Sequence, residues 1–346
     1  MSAVTAWASM ADMISASRSI RSEQPDAGMT APQGVDRLDG QLVAMSTLFR
    51  VPLTTESLPG IRQSLDQRRA EQVAATEPGD VEVESSSVQL AGRSVAVRIY
   101  RGTRQRPSPA VLYFHSGGLV MGNLDTDHSR CLALARAAEC VVLSVDYRLA
   151  PEHPFPAAFD DCREVTDAVL AHPGDYGVDP ARTAVSGSSA GGGLAAAVAL
   201  SLRDRGGRQP VLQVLHQPML DDSCGTPSMR EFVATPGFDS GSARFSWDSY
   251  LAGQEPTGYS SPARAGSWAG LPPAHICCSE VDPLRDEAID HARRLLQAGV
   301  PTELHVVPGT CHGFDSFAPG HPFSVRETQA QVDALRRAFA RAGTAG

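Results

Sequence analysis

The chain changes its hydrophobic rhythm near Val81. Before that point, apolar residues recur at helical spacing in two patches, Leu38 to Leu48 and Leu58 to Val73, divided by Pro-, Gly- and Ser-bearing breaks. Beyond it the pattern alternates and then turns into continuous apolar runs. Strands are predicted at Val88 to Leu90, Val95 to Tyr100, Ala110 to His115, Val141 to Tyr147, Thr183 to Ser186, Val211 to Leu215, Ala274 to Cys278 and Glu303 to Val307. Helices are predicted between and after the later strands, at Ser129 to Glu139, Ala157 to His172, Ala190 to Arg205, Leu284 to Ala298 and Val325 to Ala340. Strands alternating with helices of that length imply an α/β fold with a mostly parallel, eight-stranded sheet covered on both faces. The first 35 or so residues are expected to be partly disordered.

Composition narrows the function. With 346 residues, 42% of them hydrophobic, the chain can bury a large core, and a formal charge of −9 leaves no electrostatic footprint for nucleic acid. No segment reaches the roughly 18 continuous apolar residues that would span a bilayer. Polar residues interrupt the first twenty positions, so they do not read as a secretory signal, and a cytoplasmic protein is expected. All 30 basic residues are Arg, which excludes lysine Schiff-base, pyridoxal-phosphate and P-loop kinase chemistry. The seven cysteines lie in no metal-ligand spacing, and Cys277 and Cys278, adjacent on one strand, point to opposite faces.

The densest cluster of small residues is Ser186-Gly187-Ser188-Ser189-Ala190-Gly191-Gly192-Gly193. Within it, Gly187 to Gly191 reads as G-x-S-x-G, the tight strand-to-helix elbow that exposes a serine hydroxyl above a sheet. Composition alone would produce that pattern roughly one time in four, so its context decides. The predicted strand ending at Ser186 and the helix that follows supply the context.

A serine hydroxyl needs a base, and the base needs a group that fixes its tautomer. Ligands collect beyond the carboxyl ends of the strands in such a sheet, so the partners are sought there. The strand from Ala274 runs into Asp282, and the strand from Glu303 runs into His312. Ser189, Asp282 and His312 then follow the chain order of an α/β-hydrolase triad, each on the loop after its own strand. His115-Ser116-Gly117-Gly118 closes the strand from Ala110, and the amides of Gly117, Gly118 and Ala190 are the candidate oxyanion donors. Asp146, Tyr147, Arg148 and Glu152 read as a structural loop supporting that segment, with His115 in a similar part. Asp286 and Glu287 read as acids at the start of a helix, suited to its dipole.

On these residues the chain resembles the hormone-sensitive-lipase family of α/β-hydrolases, which includes many bacterial carboxylesterases. The likeness covers roughly residues 85 to 340 and rests on HSGG at His115, DYRLAPEHPFPAA from Asp146, GSSAGG at Gly187, PSMREF from Pro227, SPARA from Ser261, DPLRDE from Asp282 and HGF at His312. Four positions depart from the usual family pattern: Ser116, Leu119, Ser188 and Gln217. They leave the catalytic set intact and bear on the lining of the acyl pocket. The resemblance implies an α/β-hydrolase catalytic domain over residues 81–346, with a helical cap built from residues 1–80 and an insertion at about 222–262.

The function implied is hydrolysis of short- to medium-chain acyl esters through an acyl-enzyme, on a small-molecule ester, without metal or organic cofactor, nucleic acid or membrane. A homodimer is compatible with that reading. Two alternatives use the same fold: an acyltransferase, or a hydrolase or cyclase tailoring one natural product, and a small-molecule receptor. The presence of all three triad members weighs against the receptor.

Overall fold

The computed structural model describes residues 34–43 and 51–344. Eight strands form one sheet: β1 (Glu82–Leu90), β2 (Arg93–Arg101), β3 (Ser108–Phe114), β4 (Val141–Val145), β5 (Val178–Ser188), β6 (Gln213–His216), β7 (Ala274–Val281) and β8 (Thr302–Cys311). Their spatial order is β1-β2-β4-β3-β5-β6-β7-β8. The two leading strands form an antiparallel hairpin closed by Ala91 and Gly92, the latter at φ 80°, where glycine carries no Cβ penalty. β2 meets β4 antiparallel, and every later pairing is parallel.

The continuous apolar runs become the middle of the sheet, because strands covered on both faces have no solvent side to mark. Every residue of β3 and β4 is buried. Along β3, Val111 and Tyr113 enter one core while Leu112 and Phe114 enter the other, as the two-residue period requires. The helices are α1 (Leu58–Ala75), α2 (His128–Ala138), α3 (Ala157–Ala171), α4 (Pro173–Tyr176), α5 (Ala190–Asp204), α6 (Pro227–Glu231), α7 (Ser240–Leu251), α8 (Arg285–Gln297), α9 (Phe314–Phe317) and α10 (Pro322–Thr344). One face is covered by α3, α5 and α8, the other by α2 and α10.

The glycine run of α5 has a mechanical explanation. A Cβ at Gly191 would collide with the carbonyl of Phe114, and one at Gly193 with the carbonyl of Met219. Only a bare backbone lets the helix enter the sheet this closely. From Ala190 to Leu202 every residue of α5 is buried.

The N-terminal region differs in part from the helical reading. Leu58 to Val73 is helical, as α1, but residues 38–43 form turns after a short 3₁₀ segment at Val35–Arg37. The amide of Asp39 donates to the carbonyl of Gly309, and Leu38 and Leu42 pack with Phe232, Val281, Cys311 and Phe314. Among the described residues of this patch, Leu38 and Leu42 dock on the ends of β7 and β8. The remainder of that patch and the opening 33 residues lie outside the described residues.

Candidate active site

Ser189 occupies the corner between β5 and α5 with φ 55° and ψ −119°. That conformation is costly for a residue with a Cβ, and here it is held from two sides. The Ser189 amide donates to the carbonyl of His216 at 2.8 Å, and its carbonyl accepts from the Met219 amide at 3.0 Å. A Cβ at Gly187 would collide with Gly191, which is why glycines flank the turn.

The three residues predicted to converge do so. Ser189 Oγ lies 2.9 Å from Nε2 of His312, and Nδ1 of the same ring lies 2.7 Å from Oδ2 of Asp282. Asp282 is fully buried and its other oxygen accepts from the Leu284 amide at 2.8 Å, which fixes the carboxylate plane. With a carboxylate facing Nδ1, that nitrogen carries the proton and Nε2 is free to accept from the serine hydroxyl. A hydroxyl, an imidazole and a carboxylate linked in this way can pass a proton and form an acyl-enzyme.

The glycine loop after β3 is shaped by its own network. His115 is fully buried and stacks on Tyr147, with ring centroids 4.1 Å apart. Burial pushes its pKa down to about 4, so the ring is neutral and donates Nδ1–H to the carbonyl of Ser116 at 2.8 Å. Tyr147 donates its hydroxyl to the carbonyl of His115 at 2.7 Å. The Ser116 amide donates to Oδ2 of Asp127 at 2.8 Å, and its hydroxyl faces the other oxygen at 3.4 Å. Gly117 and Gly118 then take φ values of 136° and 61°, a region that favours glycine.

Arg148 and Glu152 fulfil the supporting parts expected of them. Arg148 pairs with buried Asp161, and Glu152 pairs with Arg62 of α1, which also donates to the carbonyls of Val120 and Ala150. The departures from the family pattern separate by location. Leu119 lines a small pocket with Ala190, Met219, Trp247 and Tyr250. Ser116 is directed to Asp127. Gln217 is buried beneath the histidine loop, where its Oε1 accepts from the Gly313 amide at 2.6 Å and its Nε2 donates to Ser279 at 3.0 Å. Ser188 is buried at the end of β5.

Asp286 and Glu287 do lie in the first turn of α8, as read, and each also makes a specific contact. Asp286 accepts from the amide of Ser228, at the start of α6, at 2.8 Å. Glu287 is buried, which raises its pKa well above the ordinary value, and accepts from the Leu220 amide at 2.6 Å. Both acids fasten the segment after β6 to α8. Asp127 and the role of Gln217 were not legible in the sequence, since neither sits at a spacing that marks its partner. Cys311, beside His312, is buried and its thiol is pushed up to about 12, so it stays protonated.

A serine, histidine and carboxylate at the strand ends of a parallel sheet with this order define an α/β-hydrolase. The family model for the alpha/beta hydrolase fold matches residues 111–316. Esterase LipI of Mycobacterium tuberculosis is 41% identical over 236 residues, covering 67% of this chain and 73% of its own. Carboxylesterase NlhH of the same organism is 35% identical over 321 residues, covering 90% and 99%. The crystal structure of esterase LipW from Mycobacterium marinum superposes with a TM-score of 0.86 at 50% identity, covering 90% of this chain and 98% of that one. The chain belongs to the hormone-sensitive-lipase-like bacterial carboxylesterases of the α/β-hydrolase family, and it is a carboxylester hydrolase. Among the described residues, no helix is long and apolar enough to cross a membrane.

Proposed function

We propose that Ser189 is the nucleophile, His312 the general base and acid, and Asp282 the group that orients the imidazole. The observation that carries this is the single imidazole bridging the Ser189 hydroxyl and the Asp282 carboxylate at 2.9 and 2.7 Å. His312 takes the proton as Ser189 Oγ attacks the ester carbonyl, and returns it to the departing alcohol. Water then attacks the acyl-enzyme by the same route in reverse order. The amides of Gly117, Gly118 and Ala190 stabilise the oxyanion, two of them from the loop after β3 and one from the first turn of α5.

The substrates are small esters with short to medium acyl chains. The support for small esters is the tight apolar packing of Leu119, Met219, Trp247 and Tyr250 beside Ala190, which leaves a gap of only about 10 Å³. The N-terminal segment and the insertion at about 222–262 act as a cap. Trp247 and Tyr250 of α7 supply part of the pocket wall, Phe238 sits with its ring 5.1 Å from that of His312, and Arg37 pairs with Glu231 of α6.

The assignment of the acid is tested by comparing two carboxylates four residues apart. Asp282→Asn keeps the fold and lowers turnover on the order of 10⁴-fold, because an amide no longer enforces the imidazole tautomer. Asp286→Asn, which alters the contacts with Ser228 and Arg285, keeps turnover within a few-fold of the parent. Equal losses at both positions contradict the assignment.

A further inference from the structure

Beside α10, the edge strand β8 and its neighbour β7 bring together three ligand-type side chains that ester hydrolysis does not use. His275 of β7 stands in register with Glu303 of β8, and His305 lies two residues further along β8, on the same face. His275 is 1% exposed and neither of its ring nitrogens has a hydrogen-bond partner, an arrangement proteins avoid. Its Nδ1 lies 3.7 Å from Oε1 of Glu303, and Nε2 of His305 lies 3.1 Å from that same oxygen. One donor atom from each of the three residues falls within 4.8 Å of the others.

The two separations from Glu303 suit a metal ion. Zinc bonded at about 2.0–2.1 Å in tetrahedral geometry places its ligands about 3.3–3.4 Å apart, between the two measured edges. A further carboxylate also fits the pattern. Glu327 of α10 accepts from Nδ1 of His305 at 2.7 Å, which leaves Nε2 directed at Glu303, as an outer carboxylate does for a ligating histidine. Arg337 holds the second oxygen of Glu303 at 2.6 Å, and Arg326 holds the second oxygen of Glu327 at 2.8 Å. The ion-pair network thus accounts for every member except His275. Glu303 and His305 are partly exposed, so an ion can enter from solvent.

We propose that His275, Glu303 and His305 bind one zinc ion, with Glu327 orienting His305 and water completing the coordination. The ion fastens β8 to β7 at the sheet edge. His275 precedes Asp282 by seven residues and His305 precedes His312 by seven, which separates the site from the reacting atoms by roughly 20 Å along the strands. Its role is to brace the two strands that deliver the acid and the base.

The full chain, freed of metal with a chelator, is titrated with zinc chloride by calorimetry. One ion per chain is expected, with a thermal midpoint raised by about 4 °C when zinc is at a hundredfold excess over Kd. Glu303→Gln and His305→Gln should each weaken uptake by at least about tenfold, with midpoints of the metal-free variants reporting that they fold. Cobalt(II) bound to the unmodified chain should give the intense visible bands of a four-coordinate ion, a readout independent of any variant. Absence of stoichiometric zinc uptake, a weak six-coordinate cobalt spectrum, or unchanged uptake in both variants overturns the proposal.

Discussion

Gln217 holds the backbone of the residue after His312: its side-chain oxygen accepts from the Gly313 amide at 2.6 Å while its amide nitrogen donates to Ser279. Ser279 in turn donates to the carbonyl of Cys311 at 3.1 Å, so one buried side chain grips both sides of the histidine. Gln217 has φ 47°, a strained value for a residue with a Cβ, and it sits beneath the loop, away from the residues lining the small pocket.

Gln217→Ala removes that grip and leaves the Gly313 amide without its acceptor. Loss of geometry at the base, with the pocket untouched, lowers kcat by roughly 10- to 100-fold and changes KM little. Steady-state kinetics on a soluble nitrophenyl ester separate the two. A rise in KM at constant kcat would assign Gln217 to substrate binding instead.

Ser116 gives a second contrast. Its amide and hydroxyl face Asp127, so its hydroxyl proton is directed to a carboxylate. Ser116→Gly should therefore stay within about a factor of ten in kcat/KM, whereas loss of a true oxyanion donor costs roughly 10²- to 10³-fold. Acetyl, butyryl and hexanoyl esters are compared in both proteins. A uniform loss of about 10²-fold or more across all three would make the hydroxyl part of the oxyanion hole.

Asp146 offers a pH test. Burial raises its pKa from 3.8 to about 6, against the opposing pull of Arg98. Between those values the folded chain holds a proton that the unfolded chain has released. This contribution to stability is therefore full below the lower value and is lost as pH rises through the upper one. Asp146→Asn removes the penalty of ionising a buried acid. It should unfold at higher urea than the parent at about pH 8, by on the order of 1–3 kcal/mol, with the difference closing toward about pH 4. A variant less stable than the parent at the higher pH would show that the ionised carboxylate is a favourable partner of Arg98.

What was legible in the sequence follows a physical division. Ser189, Asp282 and His312 each lie at the end of a strand, so the apolar runs located them and the parallel sheet gathered them. The glycines of α5 were legible for the same reason, because close backbone approach admits no other residue. Asp127, Gln217 and Glu287 act through contacts with Ser116, Gly313 and Leu220, and only the folded chain brings those pairs together. Residues 38–42 show the converse: apolar positions at helical spacing, Leu38 and Leu42, dock a bend and turn on the ends of β7 and β8. β5 begins at Val178, five residues before the apolar stretch that marked it, because residues 179–182 interrupt its pairing with β3 and are not fully buried.

Ser189, among the three closely spaced serines of the elbow, is the proposed nucleophile. The most direct test is labelling by an organophosphonate ester, followed by intact mass and peptide mapping of the parent and of Ser189→Ala. One adduct per chain on Ser189 is expected in the parent, and a folded, unlabelled variant without ester hydrolysis. An adduct on Ser186 or Ser188, or labelling that persists in Ser189→Ala, would contradict the assignment.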